Sequence, residues 1–489
     1  MKALYIAVSY FLFFVNLGVA QQPLFRTVDI DVGATESLRL SDGKSAIVKL
    51  LSTSETRDKA RSAIREARAD VEINGSRGTL SCGNYHLPVT LGGFQVDCTV
   101  TKAYYQNTNR DHWGLVKDAR LRLWPAGSPF MPPGAMTYPV RQRWFASRTQ
   151  MGNEPTYVDE GEKISSAKIY YHAGLDIGGA EGLVDVIAAT KGLVVGLGTT
   201  VIAKEKDNAV IDRTFNDTIW VLDERGCYHR YTHLFSYDPA VKLGGRVVMG
   251  QKIGTLGKEG GSGGWSHLHY EILSRQASGK FGTQEGYAFL WEAYQRQYKP
   301  RLIAVARPHQ AVLVGEKAML DGSRSWSESR IARYEWTFTD GEKASGAKVE
   351  RSYSQAGTYS EILKITDDHG RTAYDFETVN VLDPKHPEPA PPSIQAAYWP
   401  TLGVTQGKPV TFKVRTFGTT DGEESWSFGD GATGTTKSDG NVTPLAKNGF
   451  AVTTHTFTKP GDYIVRVERA NRLGQKAIAH VWVRVGGAE

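Results

Sequence analysis

A chain of 489 residues is too long for one small core, and at roughly 100 to 200 residues per domain it implies three or four. Hydrophobic residues at 40%, charged at 22% and aromatic at 10% exclude a disordered or collagen-like chain. The net charge of +6 comes from 58 Lys and Arg scattered without a stripe, a basic tail or a nucleic-acid-binding motif; no nucleic-acid partner is expected, and mild affinity for polyanionic wall or matrix material is.

Residues 1–20 read as an export signal: Lys2 supplies positive charge, Ala3 to Val15 is apolar, and Gly18-Val19-Ala20 offers a cleavage site before Gln21. The expected location is secreted, periplasmic or extracellular. An uncleaved anchor helix is the weaker alternative, because the run is short for a bilayer. No later stretch is apolar and long enough to span a membrane, and no Cys follows the run to carry a lipid.

Residues 21–130 are expected to form an N-terminal α+β domain, which is also a candidate pro-region. Strand-like runs surround one predicted helix, marked by Ala60, Ile64, Ala67 and Val71 at helical spacing. Cys82 and Cys98 flank a short Gly-rich stretch and are expected to pair in an oxidising compartment, worth on the order of 3 kcal/mol. Cys227 is then left as a buried thiol acting as a small hydrophobe. His86 and His112 stand alone and read as surface or packing residues.

From residue 131 to 300 short β-branched runs broken by glycines, such as Leu193-Val194-Val195-Gly196 and Thr218-Ile219-Trp220-Val221-Leu222, predict an antiparallel sheet domain. A helix around Leu290 to Tyr298 closes it. A catalytic zinc site needs about three His, Asp or Glu ligands and an open position. His172-Ala173-Gly174-Leu175-Asp176 sets two ligand types four apart, and Ser266-His267-Leu268-His269-Tyr270 sets two histidines on one face of a strand.

Either motif alone recurs by chance, but their settings are specific. Asp176 leads into Ile177-Gly178-Gly179, the Gly-rich loop Gly260 to Trp265 precedes the histidine pair, and Tyr231-Thr232-His233-Leu234 lies between. With Gly250-Gln251-x-Ile253-Gly254 and the closing His267-Leu268-His269-Tyr270-Glu271, the segment from Tyr171 to Leu273 resembles peptidase family M23, the lysostaphin and LytM group of metallopeptidases. That resemblance implies one Zn2+ per chain on His172, Asp176 and His269. It implies catalytic roles for His233 and His267 as general base and oxyanion stabiliser, with the division between them open. His229, four before His233, is expected at the rim of the same strand face, in a surface role. The His-Glu-x-x-His, Cys-x-x-Cys and Gly-x-Ser-x-Gly signatures are absent.

Residues 301–383 and 394–489 read as two all-β modules flanking a Pro-rich linker, 384–393, expected to be an extended, semi-rigid spacer. The first carries Trp336-Thr337-Phe338-Thr339-Asp340-Gly341 and then Gly357-Thr358-Tyr359; the second carries Trp426-Ser427-Phe428-Gly429-Asp430-Gly431 and then Gly461-Asp462-Tyr463. They resemble polycystic-kidney-disease-type (PKD) domains, with Thr339 departing from the turn glycine in the first copy. The resemblance implies immunoglobulin-like β-sandwiches that space domains or bind polymers. The predicted whole is multidomain and mainly β.

The family resemblances imply a secreted zinc metalloendopeptidase acting on peptidoglycan cross-links or stem peptides, with Ala203 to Asn216 and Glu259 to Trp265 as groove walls or plain connections. Two alternatives are an endopeptidase for Gly-rich extracellular proteins and a non-catalytic wall-binding or adhesion protein.

Overall fold

The computed structural model describes residues 24–83, 85–102, 112–148, 164, 171–202, 211 and 215–486. The expected export signal, and most of the insert 203–216, lie outside the described residues. The architecture is multidomain and mainly β. The described residues hold one complete α-helix, Tyr287–Tyr298, and no helix long and apolar enough to cross a membrane.

Two four-stranded antiparallel sheets form the N-terminal region, one from Thr35–Arg39 through Ser76–Ser81 in sequence order, the other ordered Arg26–Ile30, Ala119–Pro125, Phe94–Thr101, Val89–Leu91. Here the helix expected at Ala60 to Val71 is corrected: Ile64–Ile73 is a strand paired with Ser45–Arg57 and Ser76–Ser81. Ala67, Ala69, Val71 and Ile73 alternate strictly into the core, a period of two that outweighs the helical spacing of four isolated positions. Asn74 and Gly75, with φ of 48° and 80°, make the two-residue hairpin turn. The sulfurs of Cys82 and Cys98 face each other at 3.1 Å in that core, but both are free thiols here, so the expected bond is not formed in this structure.

In the next region a central sheet runs Thr200–Val201, Gly192–Leu197, Ile219–Asp223, Tyr228–Thr232, His267–Arg275, Phe281–Gln284, with Leu175–Gly178 also on His267–Arg275. A three-stranded sheet of Asp185–Ile187, Lys252–Leu256 and Leu234–Tyr237 packs over it. The predicted closing helix begins earlier, at Tyr287, and buries Tyr287, Phe289, Leu290, Trp291 and Tyr294; Lys299, left-handed at φ 48°, ends it before Pro300.

Both C-terminal modules are β-sandwich-like, with cores on Trp336 and on Trp426 with Phe428. Gly429 holds φ at 81°, whereas Thr339 is absent from the left-handed region and instead donates its backbone N–H to Glu361 at 2.7 Å. The first copy thus closes its turn with a carboxylate where the second uses glycine. The linker does not hold the modules apart as a spacer would. A parallel bridge, Thr358 to Ala477, joins both into one nine-stranded sheet, and the Thr358 hydroxyl donates to Pro392 O at 2.8 Å.

Candidate functional site

Strand His267–Arg275 organises the site. His267 and His269, two apart, share a face, and antiparallel pairing sets Asp176 opposite His269. Gly174, at φ 98°, bends the chain between His172 and Asp176; a Cβ there would sit 2.8 Å from the His269 ring. The ligand atoms of His172, Asp176 and His269 consequently all lie within 4.8 Å of one another. His172 Nε2 and His269 Nδ1 stand 2.9 Å apart, and Asp176 Oδ1 is 3.2 Å from the first and 2.9 Å from the second.

Two ring nitrogens and a carboxylate oxygen aimed at one point are a donor set that zinc favours, and only three side chains supply it. Burial pushes the Asp176 carboxyl up, but His172 and His267 beside it, with hydrogen bonds from His172 and His269, hold it well below the carboxylate range. Glu271, the next residue on that face, is pushed up by burial yet brought down to about 2 by His269, Arg230 and Thr283. It lies 3.9 Å from His269 Nε2 and accepts from the Thr283 hydroxyl at 2.6 Å, so it steadies the ring from behind.

Both remaining histidines are oriented by carbonyls. His267 donates its Nδ1–H to Trp265 O at 3.0 Å, which leaves Nε2 as the acceptor, 3.6 Å from Asp176 Oδ1. Burial pushes its pKa down to about 3 despite Asp176. His233 follows strand Tyr228–Thr232 at φ 66°, a strained value for a non-glycine residue. Its Nδ1–H points to Glu259 O at 2.6 Å and Asp217 Oδ2 at 3.1 Å, and its backbone N–H donates to the same Asp217 oxygen at 2.8 Å. The His233 and His267 ring centroids are 4.6 Å apart.

All five residues anticipated from the sequence thus gather around one point. His229 does not sit at a rim. It is fully buried, 2.7 Å from Tyr270 Oη and 3.1 Å from Asp223. The argument from spacing failed because His233 has left strand geometry, so the two do not share a face. Asp217 went unread, having no motif around it. Glu271 continued a legible period of two. Of the two proposed walls, Glu259 to Trp265 is described and supplies both orienting carbonyls. His86 is a packing residue, 3.2 Å from Arg324 Nη2.

Residues 170–280 match the model of peptidase family M23, and residues 300–381 and 395–483 each match a PKD domain model. Collagenase ColA of Clostridium perfringens is 35% identical over 83 residues, 17% of this chain and 8% of that protein. Pre-pro-metalloprotease PrtV of Vibrio cholerae is 32% identical over 92 residues, 19% of this chain and 10% of that protein. The chain therefore spans a tenth or less of the curated relatives it matches. Among solved structures, a putative glycyl-glycine endopeptidase lytM from Ruminococcus gnavus is 21% identical, covering 33% of this chain and 61% of that one, with a TM-score of 0.22.

Proposed function

We propose that this chain, in which a peptidase family M23 domain precedes two PKD domains, is an exported zinc metalloendopeptidase. The observation that carries the reading is the convergence of His172, Asp176 and His269 within 4.8 Å, beside two histidines whose Nδ1–H groups are tied to carbonyls. These three residues hold one zinc ion, which when bound polarises a scissile carbonyl and makes water more acidic.

The chain's own residues then handle protons and charge. His267 Nε2, its lone pair turned to the site by the Trp265 carbonyl, takes the proton of the attacking water as the new C–O bond forms. It returns that proton to the amine nitrogen as the C–N bond breaks. His233 stabilises the oxyanion, with Asp217 as its orienting partner through the ring and the backbone N–H. The substrate class we propose is the cross-link or stem peptide of peptidoglycan, with Gly-rich extracellular protein the alternative. The PKD domains are proposed to contact extracellular polymer.

One observation favours a second reading, a metal that only stabilises a binding protein: His172, Asp176, His267 and His269 are each no more than 9% exposed. A single experiment separates them. Zinc content is measured on the purified chain, and digestion of isolated cell walls and of a Gly-rich protein is followed before and after chelation and in His267→Ala. The peptidase reading expects one zinc per chain in both proteins, digestion only with metal, and a loss of at least about 100-fold in the variant. Full digestion by His267→Ala overturns the proton-transfer role given to His267, and none by the zinc-loaded wild-type chain favours the second reading.

A further inference from the structure

The loop from Gly257 to His267 has an unusual pair of duties. Glu259 O, near its start, receives the Nδ1–H of His233, and Trp265 O, near its end, receives that of His267. The direction of both imidazoles therefore depends on where this one glycine-rich segment lies. With Gly260, Gly261, Gly263 and Gly264 in it, the loop has little intrinsic stiffness.

Its own domain holds it through bonds such as Ser266 Oγ to Gly179 O at 2.9 Å and His267 N to Gly257 O at 2.9 Å, and another domain grips it from outside. Gln395, fully buried on the first strand of the second PKD domain, Ser393–Trp399, brackets Ser266. Its Oε1 accepts from Ser266 N and its Nε2 donates to Ser266 O, both at 2.7 Å. The Trp265 ring lies flat on Phe417, centroids 4.0 Å apart and planes 6° from parallel. Arg415 Nη1 donates to Gly264 O at 3.1 Å, and Asn441 Nδ2 to Gly263 O at 3.0 Å. Four consecutive loop residues, 263 to 266, are thus each gripped by the same domain. The approach is close enough that a Cβ on Gly264 would fall 2.1 Å from Asn441 Oδ1.

From this arrangement we propose that the second PKD domain positions the catalytic histidines: Gln395, Phe417 and Asn441 hold the 257–267 loop so that its carbonyls aim His267 and His233. The proposal rests on the peptidase reading above for its catalytic consequence, but not for its mechanical one. A domain that served only to bind polymer would have no reason to bracket the backbone beside His267, and its loss of contact would alter KM.

The test uses the full chain, zinc-loaded, with Gln395→Met, Phe417→Ala, Phe417→Tyr and Asn441→Gly. The last keeps the left-handed backbone of Asn441, φ 59°, and so folds even where a buried change does not. Amide exchange of residues 257–267, zinc content, kcat and KM are measured. Expected are one zinc per chain throughout, faster exchange confined to that loop in Gln395→Met, Phe417→Ala and Asn441→Gly, and wild-type behaviour in Phe417→Tyr. Displaced supporting groups should lower kcat by about 10- to 100-fold, with KM unchanged within about twofold. Unchanged loop exchange overturns the proposal, as does faster exchange accompanied by raised KM at constant kcat. An inactive zinc-loaded wild type overturns the peptidase reading instead, and loop exchange alone then decides the mechanical claim.

Discussion

Asp217 accepts from both the backbone N–H and the ring of His233, and burial that pushes its carboxyl up is outweighed by that same histidine, which lowers it. Asp217→Asn keeps the shape and removes the carboxylate charge. A drop of about 10- to 100-fold in kcat is expected with zinc content unchanged, read by steady-state kinetics beside metal analysis. Gly174→Ala is expected to act on the proposed metal site instead. Its backbone angle of 98° disfavours any Cβ, and that Cβ would press the His269 ring at 2.8 Å. Zinc affinity is expected to fall at least about tenfold, seen in competition with a chelating dye; wild-type affinity would show the ring free to move aside. At this scale the candidate ligand residues were readable, since His172-x-x-x-Asp176 and His267-x-His269 are written in sequence. Asp217 was not, because its role arises only where the end of one loop meets the end of a strand.

At the scale of elements, the period of two placed His267, His269 and Glu271 on one face, but periodicity misled at Ala60 to Val71. There the Asn74-Gly75 dipeptide was the better guide, since both residues take positive φ as a tight hairpin demands. Nothing surrounds a Cβ at Gly75, so Gly75→Ala should cost only backbone strain, about 1 kcal/mol, measured by urea unfolding. A larger cost would point to packing not seen at the turn. Strand Thr372–Leu382 of the first PKD domain carries Glu377, fully buried. Burial pushes its carboxyl up to about 8, against an accepted hydrogen bond from Asp321 N. A carboxyl raised on folding binds its proton more tightly in the native state. Its contribution is therefore complete below the ordinary value of 4.5 and lost as pH rises through about 8. The slope is at most about 1.4 kcal/mol per pH unit. Glu377→Gln should accordingly raise the melting temperature relative to wild type more at pH 8.5 than at pH 5. An equal difference at both would assign the carboxyl an ordinary pKa.

At the scale of the whole molecule, the N-terminal region is fused to the M23 domain. Arg122, on strand Ala119–Pro125, is fully buried and pairs with Asp97 on its own sheet and with Glu285 just before the helix. Trp124 beside it belongs to the same core as Leu268 and Trp291. Arg122→Leu leaves two buried carboxylates facing no cation and should cost about 3 to 5 kcal/mol, read as a lowered denaturant midpoint. By the same packing, proteolytic removal of residues 21–130 should destabilise the M23 domain rather than activate it; a cleaved product that is stable and more active would restore the pro-region reading.

The sequence alone determined the mainly β class and the paired C-terminal modules, and it singled out the five residues, His172, Asp176, His233, His267 and His269, that the fold gathers as a candidate site, because local spacing and turn chemistry encode which residues share a face. It could not determine that Glu259 and Trp265 aim those histidines through their carbonyls, since backbone carbonyls carry no residue signature. Nor could it show that Gln395 and Phe417, more than a hundred positions downstream, grip the same loop. That contact exists only because two β-domains fold against each other, and the long-range packing that joins them leaves no periodic trace in either segment.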